Sequence, residues 1–475
     1  MHRKAICGPV LAGLGLAWVA LAGADDATLP FGFVDPAVFE PHPVSQLDRL
    51  PLRVVADAGG TWAAVWKRGA PGSVQLVASS SADGGLTWSV ARVIYADLGP
   101  NWRSAPDLAT GPGGTWIAVW DCKNGLSGTL GTDADILVSR STDNGTTWSE
   151  PQPVNSDAAV DARVDQRPRI AASSAGTWLV VWDSYVPTAR PAYVDILVSR
   201  STDGGTTWSA PVFVNANSRE DAADDSLPDL VADSGGRWGV AWYRWAFDRK
   251  AESHSVVVAV SEDDGLTWLG PVAVGTAGQW LKPAVASDNR GTWVVMWPGP
   301  YGPEWWPLTF ARSNDRGKTW EAPAQLIPGA WSDMAPDLAT DGNGTWLAAW
   351  NLHDWCGMEN DPCNYRLAVS RSTDNARTWC EPVEVGKGGH PTVASDRLRT
   401  WLMLWESAEG IYCARSPYNL NGPDLDKSGE VDAVDIQLAI LGALGLPTDH
   451  PTDVNFDGVT DALDVQLAIN AALSL

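Results

Sequence analysis

Two stretches near the C-terminus carry oxygen-bearing side chains at the spacing of a cation loop. Asp424 to Asp435 (DLDKSGEVDAVD) and Asp453 to Asp464 (DVNFDGVTDALD) are each twelve residues long. Both place short oxygen side chains at positions 1, 3 and 5, glycine at position 6 and aspartate at position 12. A hard cation such as calcium needs this pattern: close-set oxygens, a turn that glycine permits, then a distant carboxylate. Elsewhere, Arg49 stands two residues before Pro51, and a guanidinium there could hold a carboxylate bidentately. Acids recur as Asp121, Asp135, Asp161, Asp165, Asp183, Asp195, Asp224 and Asp225. Two of them could serve a hydrolase as acid and base, but their spacing selects no pair, and they read as solvated or hydrogen-bonded loop acids.

These residues sit on a repeated framework. The box Ser-x-Asp-x-Gly-x-x-Trp occurs at Ser81 to Trp88, Ser141 to Trp148, Ser201 to Trp208, Ser261 to Trp268 and Ser313 to Trp320. A sixth copy, Ser372 to Trp379, has Ala376 in place of the glycine, which predicts a strained or different turn. Ahead of each box comes a proline, a short apolar run, a turn and a Trp-x-x-x-Trp pair. The pairs are 62/66, 116/120, 178/182, 238/242, 293/297, 346/350 and 401/405, one more copy than the boxes. Each copy gives strand-like runs with period-two alternation. The expected fold class is all-β: a seven-bladed β-propeller of four-stranded blades over residues 30–418, followed by a small α-helical calcium module over 424–475. The missing fourth strand of the last blade is expected from Glu40 to Val44, closing the ring from the N-terminus. The box aspartates read as turn-builders rather than catalysts.

Of the 28 tryptophans, 14 fall in the pairs, six in boxes and one is Trp18. The other seven are Trp102, Trp245, Trp280, Trp305, Trp306, Trp331 and Trp355. They are expected in loops of the rim opposite the boxes, where aromatic faces could stack on sugar rings; the alternative is that they cap the blade ends as packing.

A net charge of -24 argues against nucleic acid or an anionic membrane as a partner. His2, Arg3 and Lys4 precede an apolar run to about Ala22, which reads as a secretory signal over 1–24, with a membrane anchor as the alternative. No later segment could span a bilayer. The expected location is secreted or cell-surface, extracellular or periplasmic. Export permits disulfides. Cys356 with Cys363 is a plausible bridge, Cys380 with Cys413 a second, and Cys122 is left over; buried thiols are the alternative.

The boxes resemble the Asp-box, or BNR, repeats of sialidases and other propellers. The duplicated loop and helix resemble type I dockerins. That second resemblance implies two bound calcium ions and docking onto a cohesin-like partner. By position, one ion would be held by Asp424, Asp426, Ser428, the Glu430 carbonyl and Asp435. The other would be held by Asp453, Asn455, Asp457, the Val459 carbonyl and Asp464. Loop positions 10 and 11 are apolar here (Ala433/Val434 and Ala462/Leu463), unlike the polar recognition residues of dockerins. Arg49-Leu50-Pro51 resembles the first arginine motif of sialidases, but the other two arginines, the Tyr-Glu pair and the acid have no match, and catalytic sialidases have six blades. The expectation is therefore a secreted propeller that recognises a glycan or polysaccharide and is tethered through the calcium module. The alternative is a glycoside hydrolase of the exo-alpha-sialidase type.

Overall fold

The structure, a computed structural model, describes residues 37–41, 52–57, 59–69, 74–96, 105–123, 125–188, 193–215, 223–248, 251–278, 282–300, 307–326, 336–352, 366–397, 400–407, 410–416, 433–446, 462, 465–466 and 468–469. Within them the chain forms seven four-stranded antiparallel sheets, the blades of a β-propeller. In blades 1 to 6 the strands follow in sequence order from the axis outward, with innermost strands Arg53–Ala56, Asp107–Thr110, Val164–Ala172, Ala223–Asp233, Ala284–Ser287 and Asp337–Thr340. Blade 7 has Gly389–Ser395 innermost, and its outer strand comes from the N-terminus.

The second strand of each blade explains why the sheets stack. In Trp116–Lys123 seven of eight residues are buried. Side chains alternate between the two faces of a strand. Trp116 and Trp120 therefore share one face and pack back on Ala63 and Val65 of blade 1. Ile117 and Val119 share the other and lie under Trp178 and Trp182 of blade 3. All seven tryptophan pairs are buried in this way. Truncating a buried tryptophan of this kind costs about 3–5 kcal/mol, so the pairs are the main glue between blades.

The box turns share one geometry. In blade 2, Ser141 Oγ accepts from the Gly145 N–H at 2.9 Å and donates to Asp143 Oδ1 at 2.8 Å. Asp143 also accepts from the Thr147 N–H at 2.8 Å and the Thr147 hydroxyl at 2.7 Å. Ala376 was expected to disturb this pattern, yet it keeps the bond, donating to Ser372 Oγ at 2.9 Å with φ 60°. The strain is accepted and the geometry is retained, because the alanine methyl sits in the buried cluster around Trp346. Arginines near the ends of the third strands tie neighbouring blades: Arg140 Nε donates to the Gly204 carbonyl, and Arg415 Nε closes the ring on the Gly84 carbonyl, each at 2.5 Å.

The closing strand is Ala37–Pro41, not Glu40 to Val44. Ala37 pairs with Cys413, the place that Gln152 takes opposite Val138 in blade 2. Asp35-Pro36, outside the described residues, thus corresponds in sequence to Glu150-Pro151. Cys380 and Cys413 are both buried and form no disulfide with each other. Cys380 stands where blades 1 to 3 have a serine, its Sγ accepting from the Arg371 N–H at 3.1 Å as Ser149 Oγ accepts from Arg140. Cys122 is also buried and in no disulfide, and Cys356 and Cys363 lie outside the described residues.

Near the C-terminus a helix spans Ala433–Ala443, beginning at position 10 of the first loop. Ala439 and its counterpart in the duplicate, Ala468, are both fully buried in one small cluster.

Candidate functional site

The residue after the repeat proline faces the axis of the ring. Ladder register makes these equivalent positions Arg53, Asp107, Arg169, Asp229, Ala284, Asp337 and Thr392. In blade 1 the proline's own place is taken by Leu52, one residue beyond Pro51. The three aspartates clasp the following blade: Asp107 accepts from the Ile170 N–H, Asp229 from Val285 and Asp337 from Val393, each at 2.9 Å. Arg53 pairs with Asp107 at 3.2 Å and Asp337 at 2.7 Å, and Arg169 with Asp229 at 3.4 Å. Blade 5 has alanine in the ring, and Lys282 supplies its cation instead, 3.1 Å from Asp229. Burial, with Arg169 beside it, holds the Lys282 ammonium below its usual range. Three cations and three carboxylates thus neutralise one another on the axis.

On the rim opposite the box turns, blade 4 differs from the rest. Its second and third strands, Arg237–Asp248 and Ala251–Ser261, run 12 and 11 residues. The second strands of other blades run six to eight. Four extra residues extend the hairpin by about 13 Å. Tyr243, Trp245 and Phe247 alternate along it. The Trp245 ring lies 4.3 Å from Phe247 and 5.9 Å from His254, and Tyr193 of blade 3 stands 6.5 Å from Phe247. Tyr243 Oη and His254 Nδ1 share a hydrogen bond of 2.6 Å. Trp245, Phe247, His254 and Tyr193 are half-buried. Directly across the strand from Trp245 is Asp224, whose carboxylate accepts from the Val194 N–H at 3.1 Å and is raised by burial. Aromatic faces beside an acid can stack on a sugar ring and fix its hydroxyls.

The clefts on either side of blade 3 are acidic. Between blades 3 and 4, Asp225 accepts from Asn215 at 3.3 Å and is neutralised by Arg244 at 3.2 Å. Between blades 2 and 3, the equivalent residues are Asp165, Asn155 and, in the place of Arg244, Ser184. There Asp135 accepts from Asn155 at 3.1 Å. Burial pushes the carboxyls of Asp135 and Asp165 up to about 7, and Asp161 upward as well.

Of the sequence-derived candidates, Trp245 is in a strand rather than a loop, and it packs while keeping partial exposure. Arg49, Trp102, Trp280, Trp305, Trp306, Trp331 and Trp355 lie outside the described residues. So do all the calcium-loop positions except Asp435, a fully buried carboxylate in the first turn of its helix. The axial ring and the aromatic hairpin were not selected from sequence. Their signals are the residue after each repeat proline and the period-two run Tyr-Arg-Trp-Ala-Phe-Asp.

No family model matches the chain, and no curated protein matches it. Solved structures are similar to it. The Hadza microbial sialidase Hz136 is 20% identical, with TM-score 0.47, over 72% of this chain and 73% of that one. The α-L-arabinofuranosidase Arb93A of Fusarium graminearum is 17% identical, with TM-score 0.48, over 72% and 98%. An ulvan lyase of polysaccharide lyase family PL25, solved with a GlcA(1-4)Rha3S segment bound, is 14% identical, with TM-score 0.51, over 79% and 94%. At these identities the likeness concerns the fold alone. Among the described residues, no helix is long and apolar enough to cross a membrane.

Proposed function

We propose that the chain is a secreted propeller that recognises a glycan or polysaccharide on the rim opposite its box turns. The observation that carries this is the extended blade 4 hairpin, which raises Trp245 and Phe247 beside His254 and Asp224. Such a group meets one face of a sugar ring with apolar surface and its edge with polar atoms. The names of the fold neighbours (a sialidase, an arabinofuranosidase, a polysaccharide lyase) agree with a carbohydrate ligand, but the reading rests on the hairpin.

Binding is favoured over sialidase-type hydrolysis by the axial ring. Arg53, Arg169 and Lys282 are each engaged by Asp107, Asp229 or Asp337. A substrate carboxylate would have to displace an acid that also clasps the next blade's backbone.

The C-terminal module is proposed to bind two calcium ions and to tether the propeller to a cohesin-like protein. The buried carboxylate of Asp435 suits a cation ligand, and the Ala439–Ala468 contact suits paired helices. The ion would supply folding energy to loops whose charges otherwise repel.

The test is to incubate the full chain with a polysaccharide panel, measuring both retention on the polysaccharide and sugar release. Retention without release is expected. Release of sialic acid or another monosaccharide would make the protein a hydrolase, and retention on nothing in the panel would remove the glycan reading.

A further inference from the structure

The two clefts beside blade 3 form an internal comparison. Each receives an aspartate and an asparagine from the preceding blade and an aspartate from the innermost strand of the following one: Asp135, Asn155 and Asp165 in one, Asp195, Asn215 and Asp225 in the other. In the second cleft the chain supplies a counter-charge, since Arg244 stands directly across the strand from Asp225 and donates to it at 3.2 Å. In the first cleft the residue across from Asp165 is Ser184, which brings no charge.

The first cleft also gains Asp161. Asp135, Asp161 and Asp165 bring carboxylate oxygens within 4.8 Å of one another. Asp135 and Asp165 are 0% and 1% exposed. One oxygen of each of the three, Asp135 Oδ2, Asp161 Oδ2 and Asp165 Oδ1, is buried with no hydrogen-bond donor. The same holds for Asn155 Oδ1, in a side chain that is 0% exposed. Buried acceptors without donors are costly, and buried charges without a counter-charge more so. The cation acting on the cluster is Arg163, but its Nε donates to Ser184 Oγ at 2.7 Å and its guanidinium lies over Phe213 at 5.8 Å. Asp133 and Asp157 add further negative field.

We infer that the cleft between blades 2 and 3 binds a hard divalent cation of the calcium class through Asp135, Asp161 and Asp165, doing there what Arg244 does in the next cleft. Calcium takes oxygen ligands at about 2.3–2.6 Å, so two ligands of one ion can stand up to about 5 Å apart, as these do. The ion would pin blade 2, through Asp135, to blade 3, through Asp165. It is separate from the C-terminal loops and does not depend on the glycan reading.

The experiment counts calcium bound to the full chain by elemental analysis after EDTA stripping and reloading at mildly alkaline pH, beside thermal unfolding. A variant disabled in both C-terminal loops (Asp424→Ala with Asp453→Ala) is expected to keep one ion per chain and to unfold at higher temperature with calcium than with EDTA. Adding Ser184→Arg, which copies the neighbouring cleft, is expected to abolish that last ion and the calcium-dependent shift while the chain stays folded. Asp161→Asn, a change at a half-buried link residue, is a second variant expected to weaken binding at least tenfold. The inference is overturned if the loop-disabled chain binds no calcium, or if it binds one ion that both Ser184→Arg and Asp161→Asn leave unchanged. Magnesium at equal concentration is expected to give a smaller shift; an equal or larger one would overturn the assignment to calcium.

Discussion

Arg53 of blade 1 reaches past blade 7 to set its Nη1 2.7 Å from the carboxylate of Asp337 in blade 6. The same guanidinium faces Asp107 of blade 2 at 3.2 Å. One side chain thus holds the two acids that clasp the starts of blades 3 and 7. Removing one partner of a buried ion pair leaves an uncompensated charge and costs about 3–5 kcal/mol. Arg53→Met is therefore expected to lower the unfolding free energy by about that much in denaturant titrations. Pairing it with Asp337→Asn is expected to recover part of the loss. An Arg53→Met protein of unchanged stability would show that the ring is not structural and would reopen it as a substrate site.

The box aspartates make acid stability predictable. The hydroxyl of Thr87, then its N–H, holds the Asp83 carboxyl at about 2. Burial opposes the same effect at Asp203, yet Thr207 still leaves it at about 2. Asp143, Asp263 and Asp315 are lowered in the same manner. The unfolded value is about 3.9. A folded value below the unfolded one contributes stability above pH 4 or so, and that contribution is lost as pH falls toward 2. Melting temperature should decline over this window, and Asp83→Asn should flatten part of the decline. A profile unchanged between the two proteins would contradict the assignment.

Box glycines are not interchangeable with Ala376. A methyl on Gly317 would come within 2.7 Å of the Trp293 ring, at a backbone with φ 79°. Overpacking costs about 1–3 kcal/mol and a left-handed alanine about 1–2, so Gly317→Ala should lose about 2–5 kcal/mol. Ala376→Gly relieves a φ of 60° but empties a buried methyl position worth about 0.8 kcal/mol, so it should lie within about 1 kcal/mol of neutral. Thermal melts of the two variants check the contrast.

Much of this architecture is legible in the chain. The Trp-x-x-x-Trp pairs announce seven second strands, because the tryptophans fill one face of a short strand and the apolar residues between them fill the other. The box serines and aspartates announce the turns. The closing strand was misplaced because Glu40-Pro41 and Asp35-Pro36 both resemble Glu150-Pro151, and only ladder pairing with Cys413 separates them. Arg49 is more conspicuous in the sequence than Arg53, since Pro51 masks the one-residue offset that puts Leu52 in the proline's place. The acids of the rim looked alike in sequence. What separates Asp165 from Asp225 is the residue facing each across the strand, Ser184 or Arg244, which only register reveals.

The most direct test of the glycan reading is the affinity of Trp245→Ala for whichever polysaccharide retains the full chain, measured by calorimetry beside a thermal melt. Trp245→Ala is expected to lose at least tenfold in affinity with a melting temperature near that of the parent, and Trp245→Phe to recover part of the loss. Equal binding by Trp245→Ala would contradict the placement of the glycan on the blade 4 hairpin.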